Sequence, residues 1–293
     1  MNRNFLAIFG LLFGASAWGV IWYPYRLLAE AGVSGAASSF YTYGMALVIG
    51  VIYFGKHWRG IFAQPKSIFW LSLAAGWANI SYVISVIDGE VMRIMLLFYL
   101  SPLWTLLLAR FWLKEPITRV GYISISIALT GAYIMLAGPF SDIANRWPIP
   151  QNSAEWLALS AGIGFAFANI ITRKSNHLTI RAKSFATWIG VMSVALIFTP
   201  FLTSSFPNPN QISLDSWLMM GLVAIFLFMV TISVQFGLTQ LTAIRASVLF
   251  LFELVVAAFA SYYLAHEVMS LNEWIGGSLI IAAALIAAFN HKD

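Results

Sequence analysis

The chain has 293 residues, of which 60% are hydrophobic and 9% charged, with a mean hydropathy of +0.83 and a formal net charge of +5. A soluble domain carries roughly 25% charged residues and needs them to cover its surface; the apolar excess here must face lipid, so a soluble enzyme or binding module is excluded. The chain contains no cysteine, which removes disulfides, thiolate metal sites and cysteine nucleophiles, and the surplus of positive charge reads as membrane topology, not nucleic-acid binding.

A helix needs about 20 apolar residues to cross a bilayer, and ten stretches qualify. The first runs from Phe5 to Tyr25. Arg3 before it gives a signal-peptide look, but the run is long enough to span and has a counterpart in the second half. The others run from Gly35 to Phe54, Ser67 to Ile87, Val91 to Leu113, Arg119 to Gly138, Ala154 to Thr172, Ser184 to Thr203, Asp215 to Gly237, Ile244 to Ala265 and Glu273 to Asn290. The expected fold is an all-α membrane protein of ten transmembrane helices. Pro139 to Ser153 and Ser204 to Leu214 read as loops of turns.

In the first span Gly14, Trp18, Trp22 and Arg26 are spaced by four and share a helical stripe, with aromatic faces leading up to a cation. Opposing candidates are Trp77, Asn79 and Tyr82 in the third span, Tyr99 and Trp104 in the fourth, Asn169 in the sixth and Gln235 in the eighth. Together they suit an organic solute with an apolar part and a polar head, held by stacking, cation–π contact and a few hydrogen bonds. For each aromatic the bland alternative is packing or interface-belt duty; a buried amide has a firmer claim, because it needs partners. Gly10 and Gly14, and Ala158, Gly162 and Ala166, recur every four residues and permit close helix packing.

Glu253 is the one acidic residue deep in a span, about halfway along the ninth. A charged side chain there costs on the order of 2.5–3.5 kcal/mol on insertion scales, so it must face protein or water. If transport is coupled to protons, Glu253 is the carrier to expect; the alternative is a permanently protonated carboxyl that hydrogen-bonds between helices.

Charge placement orients the spans. With the N-terminus in the cytoplasm, thirteen of the 16 Lys and Arg residues fall on that side and only Arg26, Arg93 and Arg146 on the other, so both termini are expected to be cytoplasmic.

The chain also repeats itself. A shift of 152 positions places Arg93 on Arg245, Leu97-Phe98 on Leu249-Phe250, Glu115 on Glu267, Ile123 on Ile275 and Ser126 on Ser278. Scarce charges that recur in register cannot match through shared greasiness. Residues 1–138 and 154–290 read as two five-span repeats joined by an external linker, 139–153, and an odd number of spans makes the second copy enter the membrane inverted. Arg93 and Arg245 then lie near opposite faces, as two gates would; the alternative is snorkelling to headgroups. Glu115 and Glu267 read as helix caps or partners of a nearby base.

Ala17-Trp18-Gly19, Leu97-Phe98-Tyr99-Leu100-Ser101-Pro102-Leu103, Lys114-Glu115-Pro116-Ile117-Thr118, Ala246-Ser247-Val248-Leu249-Phe250, Glu253 and His266-Glu267, in this order and spacing, resemble the drug/metabolite transporter superfamily, in particular its EamA-type branch. The resemblance covers nearly the whole chain. It implies alternating-access export or exchange of amino acids, related small metabolites or amphipathic drugs, and a multi-pass protein of the bacterial inner membrane. Where relatives tend to have Glu-Pro in the ninth span this chain has Glu253-Leu254, which leaves a kink there open. Where many have Arg in the second it has Tyr41-Thr42-Tyr43, which leaves open any carboxylate-reading role of that span.

The expected partners are a small-molecule substrate, an amino acid or metabolite, and membrane lipid, with no nucleic acid; the expected state is a monomer or weak homodimer, and no cofactor or metal is expected. Amphipathic cations are the rival substrate class. An intramembrane enzyme lacks support, because there is no HExxH, no pair of deep acids, and His57, His177, His266 and His291 lie in loops or near ends. A membrane scaffold is the remaining alternative and predicts no solute flux.

Overall fold

The computed structural model describes residues 3–57, 60, 64–88, 94, 97–114, 116, 118–136, 150, 152–202, 207–264 and 271–289. The expected gate Arg93, the acids Glu115 and Glu267, and nearly all of the 139–153 linker lie outside them.

The described residues form helices and their connections: α1 Arg3–Glu30, α2 Gly35–Phe54, α3 Pro65–Asp88, α4 Ser101–Leu108 running on into a π-helical turn Ala109–Leu113, α5 Arg119–Leu136, α6 Ser153–Lys174, α7 Ile180–Leu202, α8 Leu214–Gln240, α9 Ala243–Phe250, α10 Phe252–Leu264 and α11 Leu271–Phe289. Several starts follow local chemistry. Asn152 caps α6 by accepting from the Glu155 N–H at 3.0 Å while its amide donates to the Glu155 carboxylate at 3.1 Å. Ser34, Ser213 and Thr242 accept in the same way at the starts of α2, α8 and α9. Lys114, at φ 55°, turns the chain out of the π-helical turn.

Among the described residues α1, α2, α3, α6, α7, α8 and the α9–α10 pair are long and apolar enough to cross a bilayer. Large apolar side chains stay on the outside, as in the α8 stripe of Leu214, Leu218 and Leu222. That surface fits hydrocarbon and not water.

The helices of the two halves of the chain alternate around a ring. α1 packs on α8 and α10, α2 on α7 and α8, α3 on α6 and α7, and α4 on α6 and α9; α5 and α11 pair with each other beside it. Neighbours in the ring thus come from opposite halves of the sequence.

Two spans are interrupted, the fourth near its proline and the ninth where the sequence left a kink open. The fourth turns at Tyr99 and Leu100, and the ninth breaks at Leu251. In the fourth, Pro102 has no N–H for the Phe98 carbonyl, and the Leu100 N–H bonds three residues back to Leu97 at 3.3 Å. The ninth breaks without a proline: the N–H groups of Leu251 and Leu254 bond three residues back, to Val248 and Leu251, both at 3.2 Å.

A glycine from the other half lies against each break. A Cβ on Gly162 of α6 would lie 2.7 Å from the Phe98 carbonyl oxygen, and one on Gly19 of α1 would lie 2.8 Å from the Glu253 carbonyl oxygen. Backbone meets backbone there, and only glycine leaves the room.

Candidate functional site

Aromatic rings meet in the interior of the ring of helices. Trp18 of α1 packs edge-on against Phe165 of α6, with centroids 5.7 Å apart, and against Phe250 of α9 at 5.4 Å. Phe165 also touches Phe250 at 5.3 Å and Phe98 at 5.6 Å, and Phe98 continues to Tyr82 of α3 at 4.8 Å and to Tyr99. α1 and α6 are not ring neighbours, so the Trp18–Phe165 contact crosses the middle.

Glu253 lies beside this cluster and is 6% exposed. The break at Leu251 puts it in the first turn of α10, not midway along a continuous helix. A carboxylate at a helix start gains from the unpaired N–H groups and the positive end of the dipole. Two phenols lie near it: Tyr82 and Tyr99 both stand within electrostatic range of the carboxyl. Tyr99 is itself 4% exposed and sits at the break of the fourth span.

Further buried polar atoms around the interior have no protein partner: Asn79 Oδ1, Trp104 Nε1, Thr105 Oγ1 and Asn169 Nδ2. A buried donor or acceptor left unmade costs about 1–3 kcal/mol, so these atoms have hydrogen-bonding capacity to spare. Asn169 follows Phe165 by one helical turn and lies on the same side of α6. Arg245 is 7% exposed, held within the packed protein and not spread to the surface.

Not every expected residue joins this centre. Arg26 is exposed and pairs with Glu30, four residues on, at 3.4 Å. Trp22 is half-buried and stacks edge-on with its neighbour Tyr23. Trp77 donates to Ser160 Oγ at 3.2 Å and packs on Phe198, which ties α3 to α6 and α7. Asn79 donates to the Tyr43 hydroxyl at 3.2 Å. Gln235 accepts from Thr172 at 3.1 Å and donates to Thr187 at 3.0 Å, in a separate polar knot that also holds Lys183.

Sequence reasoning missed Phe165, Thr105 and Lys183. Lys183 counted only as a basic flank, whereas its side chain is fully buried. A signal existed: Ser39-Phe40-x-Thr42 reappears 145 residues on as Ser184-Phe185-x-Thr187, which puts Lys183 where Ser38 stands in α2. Ser38 and Thr42 are both buried, and Thr42 bonds to Tyr25 of α1 at 3.0 Å.

The EamA-like transporter family matches residues 152–289, from the cap of α6 to the end of α11. Over 283 residues the chain is 21% identical to the uncharacterized transporter YojE of Bacillus subtilis (strain 168), covering 94% of this chain and 90% of that protein. Over 302 residues it is 22% identical to the protein RarD of Streptomyces exfoliatus, covering 96% and 88%. A solved crystal structure shares the fold with a TM-score of 0.72 over 96% of both chains at 14% identity. These matches agree with the resemblance seen in the sequence motifs: the chain is an all-α, multi-pass membrane protein whose residues 152–289 match the EamA-like transporter family and which is similar over most of its length to proteins named as transporters.

Proposed function

We propose that the chain carries amino acids or related small metabolites across the bacterial inner membrane by alternating access, in the direction of export. The substrate binds inside the ring, its apolar part against Trp18, Phe98, Phe165 and Phe250 and its polar head toward Glu253, Tyr99 and Asn169. Residues 1–138 and 154–290 act as two inverted repeats joined by the 139–153 linker, and their rocking opens the centre to each side in turn. The termini are cytoplasmic, the carrier works as a monomer or weak homodimer, and Glu253 couples transport to protons.

The observation that carries this reading is the carboxyl of Glu253 at the start of α10, enclosed by the ring with two tyrosines nearby. Discontinuous helices whose inner ends meet near the middle of a bundle are where carriers place substrate and coupling sites, because freed backbone groups and helix ends supply polarity inside an apolar wall. A second reading, export of amphipathic cations, is favoured by the same aromatic cluster around an acid. Purified protein in liposomes separates the two: uptake or counterflow of labelled amino acids supports the first, and flux of a quaternary ammonium dye with none of amino acids supports the second. A scaffold would move neither.

A further inference from the structure

The polar knot around Lys183 lies at the end of the molecule where α6 and α8 finish and α7 begins. The Lys183 ammonium donates to the Thr172 carbonyl at 2.7 Å and to Thr239 Oγ1 at 2.9 Å. Arg173 donates to the Thr239 carbonyl at 2.9 Å. Gln235 joins Thr172 to Thr187, the Thr187 hydroxyl donates to the Lys183 carbonyl at 3.2 Å, and the Thr239 hydroxyl donates to the Gln235 carbonyl at 2.7 Å.

In the ring, α3 stands between α6 and α7, and α2 between α7 and α8. α8 also touches α7 and α6 directly, so the knot ties together the ends of three helices from the second half of the chain. These bonds draw the ends of α6 and α8 onto the start of α7, one helical turn beyond Asn169.

We propose that Lys183 is the pin of a gate that shuts this side of the central site. The inference rests on reading the chain as an alternating-access carrier. An ammonium that donates to neutral oxygens on two other helices holds those helices by charge-assisted bonds, yet its burial opposes the charge. Such a pin favours closure strongly enough to seal the end and weakly enough to release when water enters. At the opposite end α1 and α2 are joined by the neutral Tyr25–Thr42 bond, and Ser38 takes the place of the lysine. The two ends are thus closed by unlike chemistry.

The test uses the absence of native cysteine. Asn169→Cys in the full-length chain, probed with a membrane-impermeant methanethiosulfonate in right-side-out and inverted membrane vesicles, reports access from each side. With Lys183→Met in the same chain, labelling from the side of the knot should rise at least tenfold, and labelling from the other side should stay level or fall. Thr239→Val, which removes one acceptor and keeps the shape, should move labelling in the same direction by a smaller factor. It serves as the test if Lys183→Met fails to insert. Unchanged labelling in the folded variants overturns the pin, and so does an equal rise from both sides, which marks general loosening. Flux assays on vesicles holding the chain with its native Asn169 and Lys183 keep the two readings apart: a one-sided labelling shift with no flux of any solute by that chain counts against the carrier, whereas flux with unchanged labelling overturns the pin alone.

Discussion

Tyr99 and Leu251 lie 152 residues apart in the sequence, and each is the residue at which its span departs from regular helix. Phe98 and Phe250, the residues just before them, both rest on Phe165. Glycines of α6 and α1 then lie against the two breaks from the opposite half of the chain. The proposed site is built from this pairing, because two interrupted helices bring polar groups to the middle of an otherwise apolar ring.

The glycine contacts predict where added volume is not tolerated. Gly162→Ala and Gly19→Ala each push a methyl group against a carbonyl oxygen that cannot swing away, and overpacking of this kind costs typically about 1–3 kcal/mol. Gly221→Ala is the control, because a Cβ at that position meets nothing within 4 Å. Melting temperatures in detergent should fall for the first two and hold or rise slightly for the third.

Trp18 and Trp22 should differ. Trp18 crosses the ring to Phe165 and Phe250, and Trp22 touches its own neighbour Tyr23. Trp18→Ala should weaken substrate binding about tenfold, the loss of roughly 1.4 kcal/mol of stacking, and Trp22→Ala by far less. Equilibrium binding beside melting curves checks this. A large fall in melting temperature with unchanged affinity for Trp18→Ala would make its role one of packing.

Topology follows from charge placement. Single cysteines at Lys114 and Arg173 should react with an impermeant thiol reagent from the cytoplasmic side, and cysteines at Arg146 and Pro209 from outside. Labelling of position 146 from the cytoplasm alone would contradict the inverted arrangement.

Much of the fold was legible because its signal is local. Span lengths depend on composition and spacing, and the described helices lie where these indicated. What the sequence hid depends on which helices meet. Arg26 continued the Trp18 stripe, but Glu30 one turn on provides a nearer partner at the surface. Lys183 looked like a positive-inside flank because nothing local reveals that the ends of α6 and α8 converge on it. Phe165 is one phenylalanine among 23, and it became central only when α1, α6 and α9 were brought together. The break at Leu251 was hidden because no proline marks it.

The central claim is that Glu253 lies on the transport path and alternates between protonated and ionised states as the site opens to each side. Glutamine keeps the shape and most of the hydrogen bonding of a protonated glutamate but cannot release a proton. The most direct measurement is flux of one substrate, chosen by a thermal-shift screen of amino acids, into proteoliposomes with and without an imposed pH gradient, for wild type and Glu253→Gln. The prediction is that Glu253→Gln retains substrate exchange and loses net accumulation driven by the gradient. Equal gradient-driven rates in the two proteins would contradict it.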